Sequence, residues 1–321
     1  MCKIAAIIGI NDGNREAAWD LAHALAPEMS EHDAHGFGLM AATKTKQLFG
    51  ARWLNNADAL NKALEPNVTL EPIKNFIAGY SLKAGTNTFG VEDTANVTAL
   101  ALHARYATTG ARTLPNTHPF VEDDTALIHN GVISNVKDLE LKTSECDSEG
   151  VLNLYIEEGV TETPAKIQEV ADTLRGYYAC VVISKQADGT QIVDVLRDKT
   201  ATLWVGGFDN GLVVFCTKWE IVARAAEFAG LTTKYYYPLN DETMLRFNAT
   251  TGEFINGFEF EAMGYSPRGR VVNTTRSYWD EENDDDTKSH HNVTAIKASM
   301  DEKQMVKEVV DSLRKDNKNV V

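Results

Sequence analysis

The chain is short of cysteine, of basic residues and of long apolar runs, and each shortage closes off a class of function. Only four cysteines occur in 321 residues, Cys2, Cys146, Cys180 and Cys216. They show no paired Cys-x-x-Cys spacing and no histidine cluster of metal-ligand type beside them, so no metal site is expected. Lys and Arg number 31 against 46 Asp and Glu, a formal charge of −15 that would repel a nucleic-acid backbone or an anionic membrane. No nucleic-acid or membrane partner is therefore expected, and the charge serves solubility. No apolar stretch approaches the roughly 20 residues of a membrane span. The run Ile4 to Ile10 is too short for a signal peptide and is broken by Gly9. A cytoplasmic protein is expected, which makes Asn-x-Thr triplets such as Asn67-Val68-Thr69 and Asn273-Thr274-Thr275 chance matches. No internal repeat is found.

What is present suffices for a sizeable core. A hydrophobic content of 43% is ordinary for a globular protein of one large domain or two smaller ones. Ile4 to Ile10 reads as a buried strand. Asn14 to Ala26 reads as a helix, with Ala17, Ala18, Leu21, Ala22 and Leu25 at helical spacing and Pro27 following it. Gly36 to Ala42 is a second strand, rich in glycine where backbone can approach a ligand. A short helix is expected from Asp58 to Leu64, and a loop or irregular insertion from Lys83 to Asn96. Ala99 to Ala104 and Thr125 to His129 are short apolar strands that run straight into polar residues, where binding groups often sit.

Helical spacing returns at Val151 to Glu158 and Pro164 to Leu174. Strands follow at Tyr177 to Ser184, Gln191 to Leu196, Leu203 to Phe208 and Gly211 to Cys216, so Cys180 and Cys216 are expected to be buried and unreactive. After a helix at Trp219 to Ala229 come strands at Lys234 to Tyr237, Thr243 to Phe247 and Glu253 to Phe258. Connections of hairpin length, such as Ala187-Asp188-Gly189 and Asp209-Asn210-Gly211, argue for antiparallel sheets packed with helices, an α+β protein, rather than a βαβ array.

After about Met263 the character shifts. The stretch 264–292 is polar, carries an acidic run from Asp280 to Asp286 and has little to bury, so it reads as a flexible segment. One amphipathic helix is expected near 299–315, with Ser299 and Glu302 at capping-box spacing and an apolar stripe of Met305, Val306, Val309, Val310 and Leu313. Such a helix is too short to stand alone and must dock on the domain or on a partner. The chain thus divides into a domain at 2–262 and a tail at 263–321.

The chain is organised around Met1-Cys2-Lys3-Ile4. Aminopeptidases remove Met when the next residue is small, which would leave Cys2 with a thiol and a free α-amine. With reference pKa values of about 8.5 and about 7.7–8.0, the two groups can exchange a proton near neutral pH. The amine can then serve as the thiol's own general base. The blander reading is a small buried hydrophobe. Three further segments carry polar residues: His103 to Gly110 with Asn116-Thr117-His118-Pro119 behind it, His129 to Asn135, and Glu145 to Glu149. Singly each is weak, because Asn130-Gly131 is also a hairpin-turn signal and Asp147 has the residue type to cap the following helix.

In this order, and together with Cys2, these segments resemble the glutaminase domain of class II glutamine amidotransferases. These are N-terminal nucleophile (Ntn) hydrolases, as found in glucosamine-6-phosphate synthase and amidophosphoribosyltransferase. The family opens Met-Cys-Gly-Ile. Its His-Thr-Arg-Trp-Ala-Thr-His-Gly segment corresponds to His103 to Gly110, and its Asn-Ala-His-Pro to Asn116 to Pro119. Its His-Asn-Gly-Ile-Ile-x-Asn corresponds to His129 to Asn135, and a Ser-Asp-Thr-Glu-like segment to the region of Asp147 to Glu149. Leu174-Arg175-Gly176-Tyr177-Tyr178 resembles the family's entry to its second sheet, and the likeness covers roughly residues 2–260.

The resemblance implies a four-layer αββα sandwich of two stacked antiparallel sheets. It implies a Cys2 nucleophile that forms a thioester with the side-chain amide of L-glutamine, with Asn130 and Gly131 as oxyanion donors. Arg105 would hold the substrate α-carboxylate and Asp147 the α-ammonium, with Thr108, His118 and Tyr106 supporting the pocket. No cofactor is implied. The departures are Lys3 for the usual glycine, Tyr106 for Trp and Thr109 for His, and His32 to Gly38 lacks the arginine of the family's Arg-Gly-x-Asp-Ser-x-Gly segment. Relatives also carry an ammonia-using domain, for which the tail has neither the room nor a phosphate-cradling glycine loop. A glutaminase subunit that supplies a separate synthase is therefore expected, and homo-oligomerisation stays open. Two alternatives remain at this point, an Ntn-type cysteine amidohydrolase acting on another amide and a catalytically silent binding module of the same fold.

Overall fold

A computed structural model describes residues 2–30, 34–45, 48–54, 81–82, 96–107 and 110–263. In chain order the elements are β1 (Lys3–Ile8), α1 (Arg15–Ser30), β2 (Gly36–Thr43), β3 (Leu48–Leu54), β4 (Ser81–Leu82) and β5 (Val97–Arg105). Next come β6 (Phe120–Glu122), β7 (Thr125–Ile133), α2 (Asp147–Glu157), α3 (Ile167–Thr173), β8 (Gly176–Lys185) and β9 (Gln191–Arg197). The chain continues through β10 (Trp204–Phe208), β11 (Val213–Cys216), α4 (Trp219–Phe228), β12 (Thr233–Pro238), β13 (Thr243–Asn248) and β14 (Phe254–Glu259). The helix expected at 58–64, the insertion expected at 83–96 apart from Asn96, and the tail helix at 299–315 lie outside the described residues.

The strands form two sheets with antiparallel pairings. One runs β12-β10-β11-β1-β5-β2-β3-β4 and the other β14-β13-β9-β8-β7-β6. Strand alternation sorts the side chains into layers. Along β1, Ile4, Ala6 and Ile8 face the second sheet while Ala5 and Ile7 face helices. Along β5, Ala99 and Ala101 point inward, and Leu100 and Leu102 pack under Leu21, Leu25 and Met29 of α1 and Val222 of α4. On the far side, α2 and α3 bury Leu152, Tyr155 and Val170 against Leu127, Val182 and Leu196. The layers are helix, sheet, sheet, helix, the expected αββα sandwich. Strands in such a sandwich are buried on both faces, which is why Ile4 to Ile8 reads as unbroken apolar sequence rather than as alternation. Cys180 and Cys216 are buried, as expected.

Two departures from the sequence reading bear on the site. Helix α1 runs through Pro27 to Ser30 instead of ending at Ala26. Proline costs the helix one hydrogen bond, but Met29 beyond it is buried under the sheet. The last-turn carbonyls of Glu28 and Met29 accept from Lys3 Nζ (3.1 Å) and Tyr106 Oη (3.0 Å). Strand β7 is the second departure. It does not stop at His129; it carries Asn130 opposite Ala179 and Gly131 opposite Tyr178. Asn-Gly makes no turn there because β8 pairs β7 from end to end, and that pairing overrides local turn preference. Strands β3, β4 and β6 have no counterpart in the sequence reading.

Beneath α2, Asp194 of β9 and Arg246 of β13 form a buried ion pair, with Nε to Oδ1 at 2.7 Å and Nη2 to Oδ2 at 2.6 Å. Tyr155 donates to the same carboxylate, and Arg246 also donates to the carbonyls of Val160 (2.9 Å) and Thr161 (3.0 Å). Asp194→Ala would leave the guanidinium buried and uncompensated, at a cost of about 3–5 kcal/mol. The expected reading is a lowered urea midpoint with an unchanged slope. No helix among the described residues is long and apolar enough to cross a membrane.

Candidate active site

Register places the nucleophile candidate. Strand β1 pairs β5 with Lys3 opposite Ala104 and Ile4 opposite His103, so Cys2 lies beside the end of β5. The Tyr106 N–H donates to Cys2 Sγ at 3.4 Å, and the thiol donates back to the Tyr106 carbonyl at 3.7 Å. Cys2 is half-buried. It is in phase with Ile4, so its side chain faces the space between the sheets. Burial pushes the thiol pKa up against the Tyr106 hydrogen bond; the Arg105 charge pulls it down and the Asp147 charge pushes it up. Both charges reach the sulfur, Arg105 from the end of β5 and Asp147 from the start of α2.

Lys3, the odd residue for the position after cysteine, points the other way. Its ammonium reaches the Glu28 carbonyl near the end of α1 and lies 5.6 Å from the centre of the Tyr106 ring. A cation there also suits the negative end of the helix dipole. The Tyr106 ring packs on this helix side as well. What Tyr106 presents to Cys2 is its backbone.

Arg105 ends β5, almost fully buried, and its Nη1 donates to the Ala111 carbonyl at 3.2 Å. That carbonyl belongs to a braced loop. Asn116 Nδ2 donates to it at 3.0 Å, the Glu145 N–H donates to Asn116 Oδ1 at 2.8 Å, and the Ala111 N–H donates to the Glu145 carboxylate at 3.2 Å. Gly110 enters the loop with φ +72°, a conformation that favours glycine. His35 fixes the turn after Arg105: its N–H donates to the Arg105 carbonyl (2.7 Å) and its Nδ1 accepts from the Ala107 N–H (2.8 Å). Thr108 lies outside the described residues.

The facing sheet supplies the other half. Strand β6 pairs β7 only over Thr125 to Leu127, so the same edge of β7 is open further along. Side chains fill it. His103 Nε2 bonds the His129 carbonyl at 3.1 Å, and Asp147 Oδ2 accepts the Ile133 N–H at 2.8 Å. Gly131 falls between those residues, in phase with both. A Cβ on Gly131 would lie 2.0 Å from the Tyr177 carbonyl oxygen and 2.8 Å from Tyr178 Cα, so only glycine fits. Asn130 is in phase with Ile128 and faces the inter-sheet space, 4% exposed, with Oδ1 making no hydrogen bond.

Asp147 opens α2 without capping it. The N-cap is Cys146, which makes no side-chain cap, and the Asp147 carboxylate is spent on β7 instead. A carboxylate in the first turn remains favourable to the helix dipole. Glu149 accepts from the N–H and hydroxyl groups of Thr143 and Ser144 at 2.7–2.9 Å. These bonds hold its pKa below the ordinary value although burial opposes them. Ser148 Oγ meets His129 Nδ1 at 2.9 Å. Cys146 is buried, its thiol pushed up to about 12 by burial and then by Asp147.

His118 sits between His103, at 3.8 Å between ring centres, and Phe120, at 4.9 Å edge-on. Neither of its ring nitrogens makes a hydrogen bond, and burial drives its pKa well down. Gly38 makes room for it, since a Cβ there would lie 1.9 Å from the His118 carbonyl oxygen. Among the described residues no group of three or more His, Cys, Asp or Glu is arranged to hold a metal ion. The fold therefore holds Cys2, Arg105 and the Tyr106 backbone at one sheet, Asn130 and Gly131 on the other, and Asp147 at the start of α2, bonded to the edge of β7. Sequence reasoning missed the bracing by His35, Asn116, Glu145 and Ser148. It also missed the part His103 plays, whose signal is legible afterwards: a polar residue in phase with inward-facing Ala99 and Ala101.

No protein-family model matches the chain. Glutamine–fructose-6-phosphate aminotransferase (isomerizing) of Thermus thermophilus is 33% identical over 121 residues, 34% of this chain and 19% of that protein. The enzyme of the same name from Gluconobacter oxydans is 37% identical over 101 residues, 28% of this chain and 16% of that protein. Among solved structures, an allosteric regulatory enzyme of purine biosynthesis superposes with a TM-score of 0.52 at 19% identity, covering 77% of this chain and 47% of the other. The glutamine phosphoribosylpyrophosphate amidotransferase of B. subtilis gives 0.51 at 19%, with the same coverage. The chain resembles the class II glutamine amidotransferases in sequence and in fold. Its matched stretch spans less than a fifth of the two sequence relatives and about half of the structural ones. The fold of two stacked antiparallel sheets between helices is shared with these solved structures.

Proposed function

We propose that this chain is a glutamine amidotransferase subunit that hydrolyses the side-chain amide of L-glutamine and delivers ammonia to an acceptor reaction on a separate synthase. The observation that carries the reading is that Cys2 Sγ, held by the Tyr106 backbone, lies within the influence of a cation and a carboxylate, Arg105 and Asp147, that suit the two charged ends of an amino acid. In the proposed sequence, removal of Met1 frees the Cys2 α-amine. The sulfur attacks the amide carbon while that amine takes the thiol proton and passes it to the departing nitrogen, which leaves as ammonia. Water then hydrolyses the γ-glutamyl thioester to glutamate. A thiol whose pKa is raised by burial is protonated at neutral pH, so the mechanism needs such a base. The Asn130 amide and the Gly131 N–H are the candidate oxyanion donors. Arg105, with a planar fork suited to carboxylates, takes the α-carboxylate, and Asp147 the α-ammonium.

The test is a substrate panel. Ammonia release from L-glutamine should exceed that from propanamide and other simple amides. Arg105→Lys, which keeps the charge and loses the fork, should raise KM for glutamine about 10- to 100-fold. Equal turnover of simple amides would sink the reading in favour of a different amidohydrolase.

A further inference from the structure

We propose that His103 is a positioning residue that sets the spacing between the nucleophile and the oxyanion donors by tying the two sheets together one residue short of Asn130. The proposal deepens the glutaminase reading and rests on it.

The nucleophile and its acceptor groups come from different sheets. Cys2 is held by β1 and by the backbone of Tyr106, which follows β5, whereas Asn130 and Gly131 belong to β7. The sheets meet here through apolar side chains, Ile4, Ala6, Ala101, Ala126, Ile128 and Ala179 among them. Dispersion contacts of this kind have no direction and resist sliding weakly. His103 adds direction. It is paired with Ile4 on β1 and with Gly38 on β2, so its Cα is fixed from both sides within the first sheet. Its Nε2 reaches across 3.1 Å to the His129 carbonyl on the open edge of β7. A carbonyl only accepts, so Nε2 carries the hydrogen. Burial holds the imidazole neutral, with a pKa lowered to about 3, and Nδ1 makes no hydrogen bond. The His118 ring lies against it, tilted by 31° with 3.8 Å between ring centres. The other side of His129 is held as well, since its Nδ1 meets Ser148 of α2. The peptide leading into Asn130 is thereby held from the first sheet through its carbonyl and from α2 through its ring. Oxyanion stabilisation depends on donors placed to within fractions of an ångström, and a misplacement near 1 Å costs about 10²-fold.

The experiment compares His103→Leu and His103→Gln with the wild-type chain. The leucine variant fills the space without donating; the glutamine variant can still donate to the His129 carbonyl. His103→Leu should lower kcat for glutamine about 100-fold with KM changed less than about threefold, and His103→Gln should recover most of the loss. Labelling of Cys2 by a chloroketone analogue of glutamine, which passes through an oxyanion, should slow with kcat. Labelling by iodoacetamide, which does not, should keep its wild-type rate. A general structural role would slow both reagents or neither. If His103→Leu does not fold, nitrogen NMR of the wild-type imidazole decides: the proposal requires the neutral Nε2–H form from pH 5 to 8, and a charged ring or the Nδ1–H form overturns it. Wild-type kcat in a folded His103→Leu overturns the proposal while leaving the glutaminase reading intact. A wild-type chain with Met1 removed that neither releases ammonia nor reacts with the chloroketone removes both.

Discussion

Replacing Cys2 with alanine is expected to abolish ammonia release from glutamine, by on the order of 10⁴-fold or more, since no other group among the described residues is placed to form the covalent intermediate. Cys146, the other thiol under the influence of Arg105 and Asp147, is buried and pushed up to about 12, so it is no substitute. Folding should hardly notice. Cys2 is half-buried at a strand end and its sulfur makes only long hydrogen bonds, to the Tyr106 backbone, so the change in stability should stay within about 1 kcal/mol. Ammonia assay and urea denaturation on the same preparation separate the two effects. Mass spectrometry should find Met1 absent from active wild-type protein, because an acylated α-amine accepts no proton. Active protein that retains Met1, or a Cys2→Ala variant that still turns over, would rule out the proposed chemistry.

The second large effect is expected at Gly131. Its position in β7 leaves 2.0 Å between an added methyl carbon and the Tyr177 carbonyl oxygen, and both clashing partners of β8 are backbone. Gly131→Ala must therefore move one strand against the other. Overpacking of this kind costs about 1–3 kcal/mol. The same movement displaces the Gly131 N–H and its neighbour Asn130, and loss of one oxyanion donor typically lowers kcat by about 10²–10³-fold. Unlike the Cys2 change, this one should lower stability and turnover together. Urea midpoints and kcat measured on one variant check it; wild-type values for both would show that β7 tolerates a side chain there and that its placement is not what the reaction uses.

Much of this was legible in the amino-acid order. Apolar strands with hairpin-length connections pointed to antiparallel sheets packed with helices, and Cys2, His103 to Gly110, His129 to Asn135 and Asp147 in sequence pointed to a family resemblance that implied their stacking. Local patterns misled where a distant partner decides. Asn130-Gly131 has the composition of a turn, yet β8, which begins only at Gly176, offers a full-length pairing surface, and a ladder of hydrogen bonds outweighs the preference of two residues. Pro27 looks like a helix end, but Lys3 and Tyr106 satisfy the carbonyls beyond it. Asp147 has the type of a capping residue and is used on a strand edge instead, because β6 is too short to cover it.

Composition and residue order determined, unaided, which segments would be buried on both faces and which polar residues had no business in a core. That is a one-dimensional matter, set by side-chain hydrophobicity and period. Only the tertiary structure decided that Tyr106 gives Cys2 its backbone and turns its ring away, that Lys3 serves a helix end, and that His103 spans two sheets. Each of these depends on register between segments from 25 to more than 100 residues apart, and register is fixed by how whole strands pair, which no local stretch of sequence contains.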